Sequence, residues 1–122
     1  MAEESVTPQP GLRIGVFHSL TDTSLLLFGY GTFEGLEVPP TSIIIPGQGP
    51  VGAAGVAAPK LRLDDGTVIW GGEAWWNAEG VVRAYEQGRT IVHPKLDSVR
   101  AKIREAWDEA MRKLSEEEDR LP

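Results

Sequence analysis

Thr67-Val68-Ile69-Trp70-Gly71-Gly72-Glu73-Ala74-Trp75-Trp76-Asn77 holds three of the chain's four tryptophans and one carboxylate. Tryptophan carries a large apolar ring and an indole N–H that needs a partner when buried, so this density marks either a core or a lined pocket. If the stretch is extended, Trp70, Gly72, Ala74 and Trp76 share one face, and Ile69, Gly71, Glu73 and Trp75 the other. Both faces then carry a tryptophan, which predicts a strand covered on both sides. The Gly71-Gly72 pair marks a bulge or a close approach by another backbone or a ligand.

Working outward, Asp65-Gly66 before this stretch predicts a two-residue hairpin that sets Leu63 opposite Val68 and Leu61 opposite Trp70. Leu61, Leu63, Val68 and Trp70 would form one apolar face. After it, Asn77 is a candidate N-cap for a helix to about Gln87, with Val81, Val82 and Tyr85 on the buried side and Gly88 as its stop. A short strand at 89–93 ends at Pro94. Asp97 or Ser98 then caps a helix towards Ser115, whose Val99, Ile103, Ala106, Trp107, Ala110 and Leu114 repeat at helical spacing. Arg100, Lys102, Arg104 and the helix's other charges read as its solvated side, and 116–122 as an acidic, frayed tail.

Further upstream, 1–11 reads as a disordered polar arm. Residues 12–19 alternate as a strand, and 24–28 form a continuous apolar run, so the two predict an antiparallel hairpin. Gly29, Gly31 and Gly35 then break or sharply bend the chain. Residues 39–59 include five prolines and no charge, with an apolar island at Ile43-Ile44-Ile45. A loop of that length suggests a lid, a partner-docking segment or an arm that orders on assembly. The whole predicts one α+β domain over 12–115: a small, mainly antiparallel sheet or partly open barrel, packed by a C-terminal amphipathic helix.

Composition narrows the function classes. Twelve basic and eighteen acidic residues give a formal charge of −6, which works against non-specific binding to nucleic acid or an anionic membrane. There is no cysteine, and the two histidines, His18 and His93, lie far apart, so no metal and no cofactor are expected. No apolar run reaches membrane-spanning length and the start is not signal-like, so a cytoplasmic address is expected.

Two constellations carry chemistry. Trp70, Glu73, Trp75 and Trp76 suit a planar or cationic small ligand, because tryptophan faces attract cations and a carboxylate completes the cage. The structural alternative keeps Trp70 and Trp76 in the core and pairs Glu73 with Arg62, Arg83 or Arg89. Trp75 would equally anchor a protein partner, alone or with the apolar loop. The second is Tyr30-Gly31-Thr32, following the apolar run Leu25-Leu26-Leu27-Phe28. It resembles the Tyr-Gly-Ser/Thr-Leu turn of the γ-glutamylcyclotransferase-like family, with Phe33 in place of the leucine. That resemblance implies a small α+β barrel, substrate binding by Tyr30, Gly31 and Thr32, and Glu73 as the catalytic acid/base. The expectation is therefore a non-catalytic binding or accessory module for a small molecule or a protein. Its alternatives are a small enzyme using Glu73 and a structural subunit, with a homo-oligomer compatible with either.

Overall fold

The computed structural model describes residues 8–120. Six strands and two α-helices follow in the order β1 (Arg13–Leu20), β2 (Ser24–Glu37), β3 (Ala58–Leu63), β4 (Val68–Trp70), β5 (Trp75–Ala78), α1 (Glu79–Tyr85), β6 (Thr90–Val92) and α2 (Leu96–Asp119). The fold is α+β: a mainly antiparallel, partly open sheet with a C-terminal helix.

The tryptophan stretch explains the shape of that sheet. Its strands run β4-β3-β2-β1-β5, so β4 and β5 lie at opposite ends although only four residues separate them in the chain. In a flat sheet, four intervals would separate those ends by about 19 Å. The Glu73 N–H instead donates to the Trp70 carbonyl at 2.9 Å, closing a turn with Gly72 at φ 99°. Such a turn spans less than about 7 Å, and the two residues to Trp75 add about 7 Å at most. The sheet must curl. The stretch is thus two strands joined by a turn, rather than one extended element with a bulge.

Curling encloses Ile14, Val16, Phe33, Leu61, Leu63 and Ile69 in one cluster, with the Trp76 ring stacked on Phe33 at 5.3 Å. Two further clusters cover the outside. Phe17, Leu25, Leu27 and Val82 pack under α1, while Ile43, Ile45, Val51, Ala58 and Trp70 join residues 39–59 to the outer face of β3 and β4. The apolar island is therefore core, and that segment is a packed layer rather than a free lid. Fully burying each of these branched side chains contributes roughly 1.5–3 kcal/mol, enough to hold a segment with little secondary structure of its own.

The β3–β4 hairpin forms, but one residue out of the expected register. Leu61 faces Ile69 and Lys60 faces Trp70, because Asp64-Asp65-Gly66 makes a three-residue loop. Leu63 N–H donates to the Thr67 carbonyl, Asp65 accepts from the Thr67 N–H at 2.8 Å, and Gly66 takes φ 91°. A type I turn followed by a left-handed glycine is the usual three-residue solution. A one-residue change exchanges faces, so Leu61, Leu63 and Ile69 point inward together while Val68 and Trp70 point outward.

Other expectations shift in the same detail. β2 continues unbroken through the glycines as fourteen residues, handing over from β1 to β3 with irregular register between Phe33 and Leu36 and Gly35 at φ 98°. The β1–β2 ladder skips Phe28 and His18, so both are bulged residues. Val81 is exposed, leaving Val82 and Tyr85 to face the sheet. Asn77 accepts a hydrogen bond from the Ala78 N–H but stands one residue before the helix's N-cap position. β6 pairs parallel with the start of β2. In the expected arm, residues 1–7 lie outside the described ones. The Gly11 N–H donates to the Phe33 carbonyl, tying 8–11 to the sheet. α2 begins at Leu96 without a side-chain cap and continues through 116–119, where Arg112 pairs with Glu109 and Glu116.

Candidate functional site

Glu73 sits at the end of the turn between β4 and β5, with its side chain 2% exposed. One carboxylate oxygen accepts from Arg100 Nε at 2.8 Å. The other accepts from Arg100 Nη2 at 2.8 Å and from the Trp70 N–H at 2.9 Å. The same guanidinium donates to the Val68 carbonyl, and one turn further along α2 Arg104 donates to the Ser42 carbonyl. This fork-on-fork geometry is the strongest common arrangement for an arginine and a carboxylate. Its effect is mechanical: it fastens α2 to the turn and to residues 39–59.

The partner of Glu73 is thus Arg100, rather than Arg62, Arg83 or Arg89. Arg62 pairs with Glu34, Arg83 with Glu79, and Arg89 donates to the carbonyls of Thr21 and Tyr85. Arg100 does not belong to a solvated face. Arg100, Ile103, Arg104 and Trp107 recur at intervals of three, one and three, the spacing of a single helical stripe. That stripe was present in the sequence. It was hidden because two of its four members are charged.

Where α2 leans over the open side of the sheet, a cleft remains. A cavity of about 590 Å³ is lined by His18, Pro46, Gly72, Glu73, Ala74, Trp75, Trp76 and Ile103. A second, of about 420 Å³, shares His18 and Ile103 and continues past Leu26, Val99 and Ala106. A third, of about 280 Å³, runs on the other side of Ile103 beside Ile44, Pro46 and Trp107. Ile103 lines all three. The bulge at His18 turns that ring outward against the edge of Phe28, at the junction of the first two.

The expected ligand-binding residues divide. Glu73, Trp75 and Trp76 line the largest cavity, and Trp75 is 69% exposed at its lip. Trp70 instead packs among Ile43, Ile45 and Val51 in the outer core. Tyr30, Gly31 and Thr32 are interior residues of β2, where the family resemblance implied a substrate-binding turn, and they line none of these three cavities. Gly31 pairs with both Ile14 and Leu63, and Thr32 with both Arg13 and Arg62. The Tyr30 hydroxyl donates to Glu86, and the Arg83 guanidinium lies 3.9 Å above its ring. Burial, followed by that hydrogen bond, pushes the Tyr30 phenol above its ordinary value. On the same side Arg13 joins Asp64 and Glu79; it holds the Asp64 carboxyl below its usual range, while Arg83 and then Arg13 do the same for Glu79.

Chemically, the cleft offers an apolar floor, two indole rings, an imidazole and a carboxylate that already accepts three hydrogen bonds. An acid/base glutamate needs an oxygen within hydrogen-bond reach of a substrate proton, and Arg100 and the Trp70 amide take three of the roughly four acceptor positions of Glu73. No helix among the described residues is long and apolar enough to cross a membrane. No family model, curated protein or solved structure matches this chain.

Proposed function

We propose that the chain is a non-catalytic binding module whose recognition site is the cleft beneath α2, with Trp75 at its mouth and Trp76 in its wall. One observation carries this reading: two neighbouring, mainly apolar cavities that share His18 and Ile103 lie beside α2, in the range of size of small-molecule sites. The carboxylate at the wall supports binding over turnover, because two of its three hydrogen bonds fasten α2 and the third closes the turn at Trp70. They also set this reading apart from a cation cage, since the chain's own guanidinium holds the place a cationic ligand would take.

The test is a tryptophan-fluorescence titration of the full chain with 1-decanol, a neutral apolar probe, repeated on Ala106→Phe. Ala106 is exposed on α2 and lines two of the cavities, so a phenyl group there fills space without crowding the core. A saturable shift that Ala106→Phe weakens, with its melting temperature intact, is the expected outcome. Equal affinity in both proteins would move the ligand elsewhere.

A second reading, the structural subunit or homo-oligomer, has its own support. α2 has no buried residue, and Met111 and Leu114 stand exposed on its last turns. Sedimentation across a concentration series tests it: a mass that rises with concentration and falls back in Met111→Lys/Leu114→Lys supports assembly through α2.

A further inference from the structure

We infer that the ligand of this cleft carries a carboxylate, held at the end bordered by Lys95 and Lys102. The inference rests on the cleft being the binding site and adds the chemistry of its occupant. Its ground is the distribution of cations. Arg13, Lys60, Arg62, Arg83, Arg100, Arg112 and Lys113 all take part in ion pairs. Arg89 and Arg104 donate to backbone carbonyls. Among the described residues, that leaves the side chains of Lys95, Lys102 and Arg120 without a carboxylate or hydrogen-bond partner, and Arg120 stands at the far end of α2.

Lys95 and Lys102 line the same 420 Å³ cavity, which is otherwise bounded by His18, Leu26, Pro94, Ser98, Val99, Ile103 and Ala106. Lys95 immediately precedes the first turn of α2 and Lys102 lies on that helix, so both border the cavity from the α2 side. In a chain of net charge −6, the other two lysines, Lys60 and Lys113, each lie within 4.0 Å of a carboxylate. Two unpaired ones on one apolar cavity give it a local sign opposite to that of the molecule. An apolar chain ending in a carboxylate fits both features, with the chain along Ile103 towards the indoles and the anion between the ammonium groups. Charge complementarity of this kind sets specificity more than total affinity.

The experiment compares decanoate, 1-decanol and decyltrimethylammonium, all below micelle formation, on the wild-type chain and on Lys95→Gln/Lys102→Gln. The three probes share one tail and differ in the charge of the head. Decanoate is expected to bind roughly tenfold more tightly than decanol at low salt, as two solvent-exposed ion pairs allow. The advantage should shrink in the double variant and in about 0.5 M salt, where screening is strong. Decanol affinity should be the same in both proteins. Equal binding of decanoate and decanol overturns the inference while leaving the cleft standing. A decanoate preference that survives removal of both lysines also overturns it. Tighter binding of the quaternary amine would reverse the sign of the site and return weight to the Trp/Glu cage. Binding of none of the three would remove the cleft reading itself, and the inference with it.

Discussion

Trp70 and Trp75 stand five residues apart in one stretch and meet opposite fates: 5% exposed in the outer core, 69% exposed at the lip of a cleft. The difference comes from the turn between them. Trp70 ends a strand whose outer face is covered by residues 39–59. After Gly71-Gly72 the chain crosses to the other end of the curled sheet, where β5 pairs with β1 and no layer covers Trp75. Glu73, inside the turn, takes the remaining role of anchoring α2. A dense aromatic stretch is therefore three things in sequence: core, anchor and opening.

Removing the two rings separates those roles most sharply. Trp70→Ala should cost about 3–5 kcal/mol, the usual range for deleting a buried ring. Trp75→Ala should leave stability within about 0.5 kcal/mol of wild type, as for most surface changes. Chemical denaturation of the two variants checks both, and comparable losses would break the contrast.

Glu73→Gln is next in size. It removes the charge from a carboxylate that accepts three hydrogen bonds, for an expected loss of about 1.5–3 kcal/mol. Arg100→Gln should cost a similar amount, and the double variant less than the sum, because each residue is the other's partner. An additive double variant would show that α2 is held by other contacts.

The α1 side supplies two smaller tests. A phenol raised in the folded state contributes stability that is present below about pH 10 and is lost as pH rises from there towards the folded value. Melting temperature should therefore fall more steeply above pH 10 in wild type than in Tyr30→Phe. Parallel alkaline limbs would mean that Tyr30 is not held as the geometry shows. Smallest of all, Asp64→Asn removes an exposed partner of Arg13, and the melting temperature at neutral pH should not change measurably.

Much of this architecture was legible in the residues. The hairpin of β1 and β2, the covered strand at Trp70 and the amphipathic helix after Pro94 all follow from periodicity and turn chemistry. The misses share one cause, which is that tertiary geometry chose between locally equivalent options. Asp64-Asp65-Gly66 accepts either a two- or a three-residue loop, and the inward packing of Ile69 beside Leu61 and Leu63 fits the longer one. The glycines of β2 look like breaks in isolation, yet they allow one strand to serve two neighbours. Ile43-Ile44-Ile45 carries no periodicity, so nothing local tells a buried layer from a mobile loop. At the site, the grouping of Trp75 and Trp76 beside Glu73 was readable, while the anchoring contact of Glu73 depended on a residue twenty-seven positions away. The cleft itself belongs to the placement of α2 and has no motif.

The most direct test of the account uses the four indole N–H groups as reporters, one for each role. In ¹⁵N-labelled protein titrated with 1-decanol, the resonances of Trp75 and Trp76 should move in a saturable manner. Trp107, beside the third cavity, should follow them, and Trp70 should stay in place. Movement of Trp70 with Trp75 and Trp76 unmoved would contradict the account, because it would place the ligand in the layer described here as core.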